Sequence, residues 1–217
     1  MLTLLNVLLT IINQARNKFL ATTGTWLFKI NLQTANTYSL GKNFASNGKT
    51  FLRLKKSSRV QIGDNVKLNN GERFNSIGRQ DRCVITVRAG AELIIGNNVG
   101  ISSSALFCNK RIVIGNDVKV GGNVCIYDTD FHSLDFSSRR SRPQDIQQTL
   151  SKEVNIGNDV FIGAHTTILK GVTIGDRSII GACSVITKNV PHDEIWAGNP
   201  AKCIRQNSFQ NISLQHS

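Results

Sequence analysis

The chain holds four histidines in 217 residues, and one of them, His132, stands in the stretch IYDTDFHSLD with Asp128, Asp130 and Asp135 close by. A neutral imidazole is the side chain best suited to take a proton near neutral pH. A carboxylate bonded to its second nitrogen fixes the tautomer and supports the imidazolium that forms. This constellation points to general base catalysis. The plainer reading is a loop histidine capped by an aspartate. Seven to ten residues further on lie Arg139, Arg140 and Arg142, either an anion-binding cluster or a solvated loop face. What favours chemistry is the place of His132 in the chain, at a break in an otherwise strict repeat.

That repeat is six residues long. Isoleucine occupies 156, 162, 168, 174, 180 and 186, and a smaller or β-branched residue follows four positions after each: Val160, Thr166, Val172, Ser178, Ser184 and Val190. Six is a whole number of strand alternations and not of helical turns, so the pattern is extended. A flat sheet needs turn residues only at strand ends, whereas glycine, or a polar pair as in GND and GDR, recurs here with regularity. Three six-residue sides closing a triangular coil of about 18 residues satisfy both features, which is the hexapeptide β-helix. Ile114, Val120 and Ile126 precede Ile156 by multiples of six, and blocks beginning at Ile62 and Ile95 keep the pattern in a different phase. Small insertions, such as one near Asn109 and Lys110, are expected at corners. The segment from about 127 to 153 is an extruded loop, and loops on rigid scaffolds carry function more often than the scaffold does.

Composition bounds the rest. Lys and Arg number 26 against 14 Asp and Glu, a formal charge of +12 with a pI near 9.9, so anionic partners are favoured. Nucleic acid is not expected: the basic residues are scattered, aromatics make up 6% of the chain, and no nucleic-acid-binding motif occurs. The five cysteines show no CxxC pairing and are read as reduced thiols of a cytoplasmic protein, with no metal site. Residues 1–40 form an N-terminal helical or extended segment, residues 41–205 the β-helix, and residues 206–217 a tail. The apolar run at the start, about a dozen residues, is too short to span a bilayer; it is expected to pack on the β-helix or a neighbouring subunit, or to lie at the inner face of a membrane.

The hexads, the loop IYDTDFHSLD and the close GVTIGDRSIIGACSVITKNVPHDEIWAGNPAKCI resemble the hexapeptide-repeat acyltransferases, in particular the maltose and galactoside O-acetyltransferases and the sugar acetyltransferases of capsule and lipopolysaccharide synthesis. The resemblance covers roughly residues 60–205. It implies an all-β, left-handed parallel β-helix, a homotrimer with active sites between subunits, and acetyl-CoA as donor. It implies further that His132 is the base, with Asp130 the first candidate to orient it, and that the backbone N–H of Ala164 helps hold the oxyanion. The pantetheine arm and nucleotide of the cofactor would then meet Phe161, Ala164, Ala182, Thr187, Lys188 and Arg205. Phe161 stands where the closest sugar acetyltransferases often carry tryptophan, so the preferred acceptor is not given by the resemblance.

Acceptor binding is expected from Asp128, Arg139 and Arg140, the acceptor being a sugar or polysaccharide precursor. Two alternatives stand beside O-acetylation: N-acetylation of an amino sugar or xenobiotic, and a non-catalytic scaffold. A γ-type carbonic anhydrase shares the coil but needs three zinc-binding histidines, two of them close in sequence. Histidines at 132, 165, 192 and 216 offer no such pair.

Overall fold

The computed structural model describes residues 2–75 and 82–206; the tail beyond 206, with His216, lies outside the described residues. Among the described residues six coils stack into a three-sided parallel β-helix, and a seventh level is a hairpin. The first face runs from Thr37–Leu40 through Arg59–Ile62, Glu92–Ile95, Arg111–Ile114 and Val154–Ile156 to Thr173–Ile174. The coil thus begins at Thr37, within the segment assigned to the N-terminus. The second face ends in the antiparallel pair Glu194–Gly198 and Ala201–Gln206, which closes the stack.

Register explains the six-residue period. Ile62, Ile95, Ile114, Ile156 and Ile174 lie over one another on the first face. Ile101, Val120, Ile162 and Ile180 do so on the second, and Leu106, Ile126, Ile168 and Ile186 on the third. All are nearly or wholly buried. Each such side chain contributes about 1.5–3 kcal/mol by leaving water, and the three columns are continuous with one core.

The glycine and Asn/Asp of each GND-type corner form a second ladder. Lys42, Asp64, Asn97, Asn116 and Asn158 each donate a backbone N–H to the side chain of Asp64, Asn97, Asn116, Asn158 and Asp176, respectively, one coil on. The next residue, from Asn65 through Asn98, Asp117 and Asp159 to Arg177, takes a left-handed backbone with φ of 57 to 60°, a conformation Asn and Asp tolerate best. The preceding glycine leaves no room for a side chain: a Cβ on Gly115 would lie 2.6 Å from the carbonyl oxygen of Gly157.

The N-terminal segment is a helix that runs well past the apolar stretch of about a dozen residues at its start. Helix α1 (Leu2–Leu32) continues through Thr22-Thr23-Gly24-Thr25. The Thr22 and Thr23 hydroxyls donate to the carbonyls of Lys18 and Phe19 at 2.9 Å, satisfying themselves within the helix. Its last turns plug the open end of the first coil, where Phe28 and Leu32 are buried and the Phe28 and Phe44 rings sit 4.6 Å apart. Gly24 is needed there, because a Cβ would lie 2.1 Å from the Gly48 carbonyl oxygen.

Candidate active site

Ile114 stacks on Ile156, 42 residues later, where a plain coil takes about 18, so about 24 residues are extruded between the fourth and fifth coils. The neck of this loop is a short antiparallel pairing. Thr129 bridges Ser151, the Asp130 N–H donates to Leu150 O at 3.0 Å, and the Lys152 N–H donates to Asp128 O at 2.9 Å. Asp128 is the anchor. Its carboxylate is fully buried and accepts the backbone N–H groups of Asn109, Lys110 and Arg111, each at 2.7 Å. Asp128 therefore cannot bind an acceptor as expected from sequence; it secures the one-residue corner insertion under the loop. Burial, together with the Asp128 charge, pushes the Cys108 thiol far up, and burial pushes Cys83 up to about 12, so both are inert.

Phe131 takes a left-handed backbone, φ 65°, which is costly for a bulky residue. Its ring packs against Phe107 and Tyr127, with centroids 4.7 and 5.3 Å away. This turn swings His132 outward, and 69% of the imidazole is exposed in the single chain. The carboxylate that holds it is Asp145, not Asp130. Nδ1 lies 2.7 Å from Asp145 Oδ2, while Asp145 Oδ1 accepts the Ser133 N–H at 2.6 Å. These two bonds hold the Asp145 carboxyl below its ordinary range, so it stays ionised and its hydrogen bond selects the tautomer with hydrogen on Nδ1 and a lone pair on Nε2. Asp130 instead pairs with Lys170 at 2.8 Å, a corner residue of the fifth coil, because the neck turns its side chain back toward the stack.

Asp145 arrives through helix α2 (Arg142–Gln148), which starts at Ser141 with Pro143 and Asp145 in its first turn. That Ser-Arg-Pro-Gln-Asp start is the signal sequence reasoning passed over, since it folds the far limb of the loop back to His132. The intervening turn is self-contained: Asp135 accepts the N–H and hydroxyl groups of Ser137 and Ser138, which drives its carboxyl well down. Arg139 donates to Ser133 O at 2.7 Å and thereby braces the loop, and the Arg140 guanidinium lies 5.4 Å from the Phe136 ring centre. A recess of about 210 Å³ opens at the neck between Arg88, Phe107, Asn109, Thr129, Phe131 and Ile146. A larger one, about 860 Å³, lies between α1 and residues 70–74 and touches none of the loop residues.

Of the expected cofactor residues, Phe161 is half exposed on the second face between Lys119 and Ile179. Ala164 and Ala182 occupy equivalent corners of consecutive coils, stacked so closely that a Cβ on Gly163 would lie 2.5 Å from the Ala182 nitrogen. Thr187 and Lys188 are exposed after the last third-face strand, and Arg205 is exposed on the closing hairpin beside Ile195. Among the described residues, no three His, Cys, Asp or Glu side chains are grouped to hold a metal ion.

The hexads stack into the coil of a hexapeptide-repeat protein, and the loop thrown from them presents a solvent-facing imidazole held by a carboxylate. The family described as bacterial transferase hexapeptide (six repeats) matches residues 153–188. A protein of Dictyostelium discoideum provisionally named an acetyltransferase is 34% identical over 136 residues, 61% of this chain and 68% of the relative. The galactoside O-acetyltransferase of Escherichia coli is 34% identical over 118 residues, 54% of this chain and 55% of the relative. Among solved structures, an N-acyltransferase of Bacillus cereus complexed with dTDP and 3-hydroxybutyryl-CoA superposes with a TM-score of 0.64 at 18% identity, covering 84% of this chain and 88% of that one. The chain spans about half the length of the first curated relatives it matches. It belongs to the hexapeptide-repeat acyltransferase family, and its fold is the left-handed parallel β-helix of that family.

Proposed function

We propose that the protein transfers an acetyl group from acetyl-CoA to a hydroxyl of a sugar or polysaccharide precursor, with His132 as general base. The observation that carries this reading is the His132–Asp145 contact, which leaves Nε2 free on the outer side of the loop. Nε2 takes the hydroxyl proton, the oxygen attacks the thioester carbonyl carbon, and the resulting oxyanion collapses with breakage of the C–S bond. The imidazolium then returns its proton to the departing thiolate, so no acyl-enzyme is required. The Ala164 N–H would help hold the oxyanion. The small corners at 164 and 182 would pass the pantetheine arm, with Phe161 as an aromatic wall and Thr187, Lys188 and Arg205 near the nucleotide.

The recess with Arg88, Phe107 and Phe131 suits a sugar ring, whose C–H faces stack on aromatics, and Arg140 remains available to an acidic substituent. An exposed His132 and an exposed Phe161 fit a homotrimer in which the neighbouring subunit closes each site and keeps water from the thioester. The relatives that support a sugar acceptor are the galactoside and polysialic acid O-acetyltransferases by their names.

The test is thiol release from acetyl-CoA over a panel of hexoses, amino sugars and nucleotide sugars. Acceptor-dependent release should fall about 10²- to 10⁴-fold in His132→Ala. Equal rates in the two proteins would remove His132 from the mechanism. Turnover confined to amines would replace O-acetylation by N-acetylation.

A further inference from the structure

The charge of this chain is not evenly spread. Nine of its 26 basic residues and none of its 14 acidic ones precede Asp64, leaving 17 against 14 for the remainder. These first residues are α1, the coil it plugs and the first strand of the next coil, so the excess gathers at one end of the β-helix.

At 100° per residue the polar and glycine positions Asn13, Asn17 and Gly24 of α1 share one face with Phe28. That face meets the body: Gly24 abuts Gly48, Phe28 is buried, and Asn17 accepts from Arg73 at 3.4 Å. On the opposite side Leu8, Ile12, Ala15, Phe19, Trp26 and Ile30 fall within about 60° of one another. The five large ones are 42 to 66% exposed, although such side chains are normally the first to be covered. Arg16 borders this stripe on one side, and Lys18 and Lys29 border it on the other. Among the described residues no helix is long and apolar enough to cross a membrane.

We infer that the exposed stripe of α1 lies in the surface of an anionic phospholipid bilayer and holds this end of the β-helix against it. Apolar residues on the side away from the body would enter the acyl boundary, and Trp26 is a residue type that prefers the interface. The flanking cations would extend to headgroup phosphates along their apolar stems, and the excess charge of the plugged end would add attraction within a Debye length. Charge decides against a second copy of the same helix as the occupant. Neither α1 nor the first coil carries an acidic residue to meet Arg16, Lys18 and Lys29, so copies would repel where lipid phosphate attracts.

The experiment is flotation of the full chain with phosphatidylcholine vesicles containing or lacking phosphatidylglycerol, read alongside Trp26 emission in a Trp196→Phe background. Flotation is expected with the anionic vesicles only, weakened by salt, with a blue shift of Trp26. Phe19→Glu and Ile12→Glu, both at exposed positions, should lower partition about tenfold or more while leaving melting temperature and acetyl transfer to a soluble acceptor unchanged. Absent flotation, or flotation indifferent to both substitutions, overturns the inference. So does a wild type that ignores vesicles but loses its oligomeric mass, by light scattering, on Phe19→Glu, since the stripe would then be covered by another copy. The test does not depend on His132, so a failed acetyl-transfer assay leaves it intact.

Discussion

At the scale of single residues, the role of Asp145 separates positioning from packing. In a Ser-His-Asp triad, replacing the aspartate by asparagine costs about 10⁴ in kcat because the imidazole takes the wrong tautomer. His132 is more open to water, and the Ser133 N–H contact can be kept by an amide oxygen. Asp145→Asn should therefore lower kcat about 10- to 100-fold while KM for acetyl-CoA stays within about twofold. Asp130→Asn, which loosens only the Lys170 pair, should change kcat by less than about threefold. If the two variants exchange these behaviours in steady-state kinetics, Asp130 is the orienting group after all. His132 was legible in the sequence because the hexads isolate the loop that carries it. Asp145 was not, because its 13-residue separation from His132 closes only when α2 folds back. Nearness in sequence favoured Asp130, whose carboxylate is instead held by Lys170, and the adjacent Asp128 is buried on the corner beneath the loop.

At the scale of elements, the hexad encodes two separate requirements, a buried column and a corner that lets coils touch. The column was readable from the isoleucines alone, and so was the extruded loop, since the phase of six survives across it. The corner chemistry was readable only as turn propensity. That each Asn or Asp side chain bonds to the backbone of the coil beneath it requires the stacking itself. The full length of α1 was likewise hidden, because Thr22, Thr23, Gly24 and Thr25 are poor helix formers and tertiary packing at the coil end overrides them. The corner ladder predicts that Gly115→Ala destabilises strongly. Its Cβ would meet Gly157 O at 2.6 Å and Asn158 Oδ1 at 2.8 Å, and the first of these is backbone that cannot rotate away. A loss of about 1–3 kcal/mol is expected, a fall of roughly 2–12 °C in a chain of this size. Gly90→Ala meets nothing within 4 Å but has φ of 75°, so its cost is backbone strain alone. Calorimetry that found Gly115→Ala as stable as wild type would mean the coils can separate locally without penalty.

At the scale of the whole molecule, carboxylates spread along the stack tie neighbouring coils to one another and brace the loop and the closing hairpin. Asp193 is held down to about 2 by the Arg177 guanidinium, with which it makes two contacts at 2.6 Å, and by His192. Arg111 and Arg59 lower Glu92 in the middle of the stack, His132 and the Ser133 N–H lower Asp145 in the loop, and Trp196 lowers Glu194 in the closing hairpin. Each carboxyl is more acidic folded than unfolded, so the native state binds fewer protons. The stability they contribute is complete above about pH 5 and is lost as pH falls through their folded values. Protonation also removes negative charge from a chain already at +12, so self-repulsion rises over the same interval. The melting temperature should be level from neutral pH to about 5 and then fall steeply toward 2. Asp193→Asn should melt lower than wild type across the level region, and the gap should close near pH 2, where wild-type Asp193 is itself becoming protonated. A gap that persists undiminished at pH 2 would mean that the amide disturbs packing, and that the Arg177 pair contributes nothing through its charge.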